Sequence, residues 1–318
     1  MWAGLDRRTG RVSQTRPFRF GVNGTTTSLQ VWHEVARTAE GLGFATLIAQ
    51  DHVGQQLAPL PALVAAGAVT TQLRLATVVL DNDFRHPALL AKEAATVDVL
   101  SGGRLELGLG AGWLQSDYDK TGIPFDPPGV RIARLAEAVQ ICKSFFTAPE
   151  AVTFVGRHYR IQALDAAPRP VQQPRPPLML GGRARRMLEL AAREADIVGL
   201  SLLDRRGPGL PEPPSFEQKV AWVREAAGPR LAELELHVNA SLVIVGDGQA
   251  QAVEAAVAQQ AHRSGQTPAQ VLASPGTLVG SVAAVVERLH ALREQFGLRY
   301  WVIPARAMAA FGPVIARL

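Results

Sequence analysis

The sequence predicts an α/β protein, a parallel (β/α)8 TIM barrel with a hairpin inserted near its middle. Three observations carry this expectation. Strand-like and helix-like segments alternate from Phe18 to Leu318, and eight strand candidates are each followed by helical material. Polar and glycine-rich residues gather behind those strands, at the end of a barrel where active sites lie. The turn after the first strand, Asn23-Gly24-Thr25-Thr26, lacks the glycine pattern of a doubly wound open sheet.

The elements follow in order. Phe18 to Val22 reads as the first strand, and Leu29, Trp32, Val35, Ala36 and Ala39 then recur at helical spacing until Gly41 and Gly43. Phe44 to Ala49 is a second strand, Pro61 to Val69 a helix, and Leu73 to Leu80 a third strand. Pro87 opens a helix where a missing N–H costs little; Ser101-Gly102-Gly103 ends it before a fourth strand, Leu105 to Leu109. A long amphipathic helix covers about Val130 to Phe146.

Val152 to Val155 and His158 to Ile161 flank Gly156-Arg157 as a β-hairpin, and a proline-rich connection follows. The fifth strand is Pro177 to Leu180, with Gly181-Gly182 leading into a helix; the sixth is Ile197 to Leu200. Asp204 to Ser215, rich in Pro and Gly, reads as a mobile loop. A helix near Phe216 to Ala226, a seventh strand around Leu234 to Val245, helices at Ala250 to Gln260 and Ser281 to Phe296, an eighth strand at Arg299 to Ile303 and a closing helix complete the chain.

Composition narrows the class. A hydrophobic share of 47% with 19% charged residues belongs to a globular protein. No apolar run reaches the about 20 residues that span a bilayer, so no membrane partner is expected. Residues 1–16 hold several arginines without the apolar region of a secretory signal and read as a flexible lead-in; residues 17–318 read as a single barrel domain. The lone Cys142 excludes an internal disulfide, sits in an apolar helical stretch as a small hydrophobe, and fits a cytoplasmic location. Net charge is +5 and pI near 9.9, but the basic residues are scattered, without a basic block. That favours a modest field for an anionic cofactor or substrate over a nucleic-acid surface.

The residues behind the strands are the candidate site. They are Asn23; Gln50, Asp51 and His52; Asp81, Asn82 and Asp83, then Arg85 and His86; Gly110, Ala111, Gly112 and Trp113; Gly181, Gly182 and Arg183; and Ser201. His52 is the side-chain type that titrates near neutral pH, and with Asp51 beside it is the candidate proton donor. Gly181-Gly182 before a helix suits a phosphate, with Arg183 adding charge; a plain tight turn is the competing reading. Gly108 to Gly112 matches a dinucleotide fingerprint only superficially and reads as a strand end where backbone approaches a flat ring. Asp98, Arg104 and Glu106 read as a structural salt bridge. The histidines show no helical zinc spacing, so no metal is expected.

Arg85-His86-Pro87, Leu89-Leu90-Ala91-Lys92 and Ala95 through Arg104, continued by Leu107 through Trp113, resemble the luciferase-like monooxygenases and their F420-dependent relatives. Gly156-Arg157-His158-Tyr159, Leu180-Gly181-Gly182 and Gly280-Ser281 fit as well. The resemblance implies coenzyme F420, or alternatively FMN, at the strand ends. It implies a non-proline cis peptide near Leu80-Asp81-Asn82, the ring edge at Asn82, Gly110 and Ala111, and the tail phosphate at Gly181 and Gly182. Asp51-His52 matches a pair whose histidine is catalytic in F420-dependent dehydrogenases, while Trp113 stands where those enzymes carry a catalytic glutamate. That departure favours a reductase of an activated C=C or C=N bond. A two-component FMN monooxygenase and a non-catalytic ligand-binding relative are the alternatives. Loops behind Asn23, His52 and Leu203, with Trp113 and Ser201, are expected to shape the pocket for a small molecule. A homodimer is the oligomer the family suggests.

Overall fold

The computed structural model describes residues 17–203 and 212–318. They form two compact units, Gly21–Gly182 and Arg183–Leu318, the second including the residues up to Phe20. The lead-in at 1–16 and most of the expected loop, 204–211, lie outside the described residues.

The first unit contains β1 (Arg19–Asn23, begun in the other unit), α1 (Leu29–Gly41), β2 (Thr46–Ala49), α2 (Pro59–Gly67), β3 (Arg74–Thr77), β4 (Leu80–Asp81), α3 (Pro87–Leu100), β5 (Leu105–Gly110), α4 (Gln115–Thr121), α5 (Pro128–Thr147), β6 (Val152–Val155), β7 (Arg160–Leu164) and β8 (Leu178–Gly182). The second contains α6 (Arg185–Glu194), β9 (Ile197–Leu200), α7 (Phe216–Ala227), β10 (Glu235–Asn239), β11 (Leu242–Val245), α8 (Ala250–Ser264), α9 (Pro268–Ala273), β12 (Thr277–Gly280), α10 (Val282–Phe296), β13 (Leu298–Pro304) and α11 (Met308–Ile315).

Pairing is parallel between β1 and β2, β2 and β3, β3 and β5, β5 and β8, β9 and β10, and β10 and β13. The strand order β1-β2-β3-β5-β8-β9-β10-β13 forms the ring of a (β/α)8 barrel, with β4 beside β5. Its strands are buried on both faces and so read as nearly continuous apolar runs; β2, β5 and β9 have no exposed residue. Outside, α5 lays Leu135, Ala138, Val139, Ile141, Cys142, Phe145 and Phe146 inward, a stripe at helical spacing. Cys142 is core, as expected, and its burial pushes the thiol up to about 12.

Caps explain where the helices begin. Ser28, Ser215 and Ser281 accept N–H bonds from the first turns of α1, α7 and α10, and His86 does the same for α3 through Nδ1. His86 is thus the helix-entry residue its place before Pro87 suggests.

Several boundaries differ from expectation. The third strand is interrupted: Val78 still donates to Ala49 of β2, and β4 then pairs with β5. The non-proline cis peptide lies there, at Val78–Val79, not at Leu80-Asp81-Asn82. The expected seventh strand is two strands, because Ser241 and Leu242 turn to donate to Gly276. β11 leaves the ring and pairs with β12, an unanticipated strand; α9, also unanticipated, carries a Thr267/Gln270 capping box.

The hairpin is present and antiparallel, but its second strand starts at Arg160. Residues 157–159 are held instead by Glu137 of α5, whose carboxylate accepts the N–H groups of Arg157, His158 and Tyr159. Burial opposes the charge on Glu137, yet these three bonds prevail and hold its pKa below the ordinary value. A Cβ at position 156 would overlap Glu137, so this turn requires Gly156.

The expected Arg104–Glu106 pair is not formed. Glu106 pairs with Arg74, its neighbour across the sheet. Arg104, placed just before β5, collects the carbonyls of Gly67, Leu73 and Ser101 where helices end. Asp98 accepts both the backbone and side-chain N–H groups of Gln172.

Candidate active site

The C-terminal ends of β1, β2, β4, β5 and β8 carry most of the candidate residues, all within the first unit. Asp51 and His52 follow β2 and diverge. Adjacency in sequence does not make them partners.

Asp51 forms a two-pronged ion pair with Arg85, at 2.5 and 3.0 Å, and accepts the Asp81 N–H at 3.0 Å. His52 instead places Nδ1 2.7 Å from Asp117 Oδ2, on α4. Asp51 and His52, adjacent in the sequence, thus have different partners. Asp117 is buried, with a side chain 7% exposed, whereas the imidazole is 33% exposed. The half-exposed Trp113 sets its ring edge-to-face with that imidazole, centroids 5.8 Å apart.

Behind this pair lies a polar network. Asp81 accepts the Tyr118 hydroxyl at 2.9 Å and the Asp83 N–H at 3.0 Å. Asp83, its side chain fully buried, also receives Tyr118 and sits 3.1 Å from Arg134. Burial, aided by the neighbouring charges of Asp83 and Asp51, pushes the Asp81 carboxyl up to about 6 against the lowering effect of its hydrogen bonds. Burial and the same carboxylates raise the Tyr118 phenol too, so it remains a donor.

The glycines after β5 are explained by the chain itself. A Cβ on Gly108 would overlap the Thr77 carbonyl, one on Gly110 would lie 2.6 Å from a Val79 methyl, and one on Gly112 would strike Tyr118. Gly112 also has φ +72°, open chiefly to glycine. These approaches come from β3 and its continuation for Gly108 and Gly110, and from α4 for Gly112. Arg131, buried on α5, fixes the loop by donating to Ala111 O at 2.9 Å and Gly112 O at 2.6 Å while covering the Phe125 ring.

Asn23 ends β1 and Asn82 follows β4; the Oδ1 of each is buried with no partner among the described residues. Asn82 Nδ2 donates to the Tyr159 hydroxyl at 3.2 Å, which brings the inserted hairpin to this end of the unit. Leu80 is fully buried and paired with Leu109, leaving its side chain in the core.

Gly181 and Gly182 are the last residues of β8, and α6 starts only at Arg185, with no side-chain cap from Ala184. Arg185 is engaged by Glu189 and Glu225. In the second unit, Arg183 donates to Leu203 O, and Ser201 accepts the Leu203 N–H on Oγ and the buried Lys219 ammonium on its carbonyl. Among the described residues no group of three His, Cys, Asp or Glu is placed to hold a metal ion.

Sequence reasoning placed Arg85 behind the third strand without its partner, and missed Asp117, Arg131, Tyr118 and Arg134. The one signal for Asp117 was its place beside an aromatic residue at the start of a short helix behind a barrel strand.

Comparison with known proteins bears on this arrangement. Residues 15–299 match the family model described as luciferase-like monooxygenase. An uncharacterized protein of Mycobacterium bovis is 34% identical over 177 residues, 55% of this chain and 56% of that one. The FMNH2-dependent dimethylsulfone monooxygenase of Pseudomonas putida is 28% identical over 172 residues, 51% of this chain and 46% of that one. The matches thus span about half the length of these curated relatives. The F420-dependent glucose-6-phosphate dehydrogenase of Nakamurella multipartita is 31% identical over 232 residues, 69% of this chain and 66% of that one. Among solved structures, the coenzyme F420-dependent tetrahydromethanopterin reductase of Methanopyrus kandleri shares the fold, with a TM-score of 0.77, 19% identity and coverage of 95% of this chain and 99% of that one. The chain belongs to the luciferase-like monooxygenase family.

Proposed function

We propose that this protein is a coenzyme F420-dependent oxidoreductase, a reductase that delivers hydride from reduced F420 to an activated C=C or C=N bond of a small molecule or natural-product intermediate. The observation that carries the reading is the His52 imidazole, one-third exposed behind β2, held at Nδ1 by Asp117 and flanked by Trp113. The chemistry the cofactor supplies when bound is hydride transfer from its reduced ring.

The residues fit such a group. A buried polar atom without a partner costs about 1–3 kcal/mol, and Asn23 and Asn82 each carry one. Their amides match the N–H and C=O edge of a flavin-type ring, and either face of an amide can be turned to it. Backbone at Gly110, Ala111 and Gly112 lines the same end of the unit, and Gly181 and Gly182 are the positions for the tail phosphate. His52 gives a proton to the reduced substrate, and Trp113 shields the proton donor from water on one side. With tryptophan at position 113 a single acid stands here, which suits a reaction that needs one proton.

Both flavin and deazaflavin fit the two asparagines. The F420-dependent relative is similar over more of the chain, and at higher identity, than the FMNH2-dependent one, and this favours F420. The FMNH2-dependent relative supports FMN as the second reading. The proposal takes a small molecule as partner, with no nucleic acid, in a cytoplasmic homodimer. No helix among the described residues is long and apolar enough to cross a membrane.

The test is a cofactor titration of the purified protein, following quenching of F420 fluorescence beside FMN under identical conditions. Micromolar or tighter F420 binding with weak FMN binding is expected. The reverse preference moves the monooxygenase to first place, and binding of neither overturns the proposed chemistry.

A further inference from the structure

We infer that Asp117 is the positioning residue of the proton donor: it fixes the His52 ring as the Nδ1–H tautomer, so that Nε2 is the atom that serves the reaction. This rests on the proposed role of His52.

With Asp117 ionised, its carboxylate only accepts, and the 2.7 Å contact between Asp117 Oδ2 and His52 Nδ1 then takes the proton on Nδ1. In the neutral ring Nε2 then holds a lone pair; in the charged ring it holds the second proton, which is the one given to the substrate and whose loss leaves the neutral Nδ1–H form. Nδ1 is occupied toward buried Asp117, while the imidazole keeps a third of its surface open. The ring is further confined by Trp113, set edge-to-face against it.

Asp117 is itself well anchored. Its N–H donates to Leu114 O at 3.0 Å, and its carbonyl receives the Thr121 hydroxyl at 2.9 Å. The next residue, Tyr118, is tied to Asp81 and Asp83. The loop entering α4 is clamped by Arg131 on Ala111 and Gly112. α4 is thus fixed on both sides of the carboxylate. Asp51, bound to Arg85 through both oxygens, is already committed elsewhere.

The experiment starts from the protein without added cofactor. Nitrogen-15 NMR of the histidine rings, with His52 assigned by its loss in His52→Ala, reads the tautomer directly. Wild type is expected as the Nδ1–H form. Asp117→Asn, whose side chain can donate as well as accept, is expected to shift His52 toward the Nε2–H form, and Asp117→Glu to keep the Nδ1–H form. An Nε2–H ring in wild type, or an unchanged ring in Asp117→Asn, overturns the inference. Should Asp117→Asn fail to fold, the wild-type tautomer alone decides it.

Turnover separates this inference from the reading beneath it. With reduced F420 and a cyclic enone as probe, Asp117→Asn is expected to lower kcat about 100-fold, the lower end of what a positioned acid contributes, with the KM for F420 within twofold. Equal kcat in Asp117→Asn and wild type overturns the positioning role. Equal kcat in His52→Ala removes His52 from the reaction, while the tautomer result stands by itself.

Discussion

The two units bury polar groups in different ways. In the first unit Asp51, Asp81, Asp83, Arg85, Tyr118 and Arg134 lie behind the strands and bond one another across loops and helices. In the second, with the start of β1, several lie within strands: Arg19 pairs with Glu235 and covers the Tyr300 ring, and His237 packs against Tyr300, while buried Lys219 reaches from α7 to the Ser201 carbonyl. Burial, with Arg19 nearby, pushes His237 down to about 3, so it is neutral at working pH. Buried charge alone therefore does not mark a site. What distinguishes the first unit is that its charges hold loops in place and leave one histidine open beside them.

The sharpest way to break this contrast is to unpair its central ion pair. Arg85→Met leaves the Asp51 carboxylate buried without its cation and is expected to destabilise the protein by about 3–5 kcal/mol in denaturant unfolding. Adding Asp51→Asn should recover more than half of that loss. No recovery would mean that Arg85 acts through packing.

A smaller effect comes from Asp81. Its pKa is about 6 folded against 3.8 for the free group, so between those values the folded protein binds more protons than the unfolded chain. Stability from this residue is then present below pH 3.8 and lost as pH rises through 6, by about 3 kcal/mol at most. Asp81→Asn, always neutral, should be more stable than wild type at pH 7.5 and lose that advantage at pH 4. A parallel pH dependence in the two proteins would place the raised pKa elsewhere.

The smallest effect belongs to the second unit. His237→Leu removes a buried Nε2 that has no partner among the described residues and a ring that carries no charge, and should change stability by about 1 kcal/mol or less. Cofactor binding should be untouched. A loss as large as that of Arg85→Met would erase the distinction between the units.

The barrel was legible because buried parallel strands are apolar on both faces while their helices repeat at 3.6 residues. The site end was legible because strand direction places every β-to-α loop on one side. The partners were not. His52 and Asp117 lie 65 positions apart, and Asp51 and Arg85 34, and no local pattern connects such residues. Adjacent Asp51 and His52 turn to different partners, which their adjacency does not reveal. Likewise the close neighbours of Gly108 and Gly110 are Thr77 and Val79, seen only once β3 and β5 are laid side by side. The extra β11–β12 pair escaped notice because its strands are half buried and separated by two helices.

The hairpin has a bearing on engineering. Inserted segments of barrels are the usual first choice for exchange between relatives, since the ring closes without them. Here Tyr159 ties the insertion to Asn82, and Glu137 holds the backbone that presents Tyr159. A graft that replaces the segment whole would remove a support from beneath a proposed cofactor contact. Diversity is better introduced at Thr153 and Val155, which are exposed, with Gly156 through Tyr159 retained as a fixed cassette.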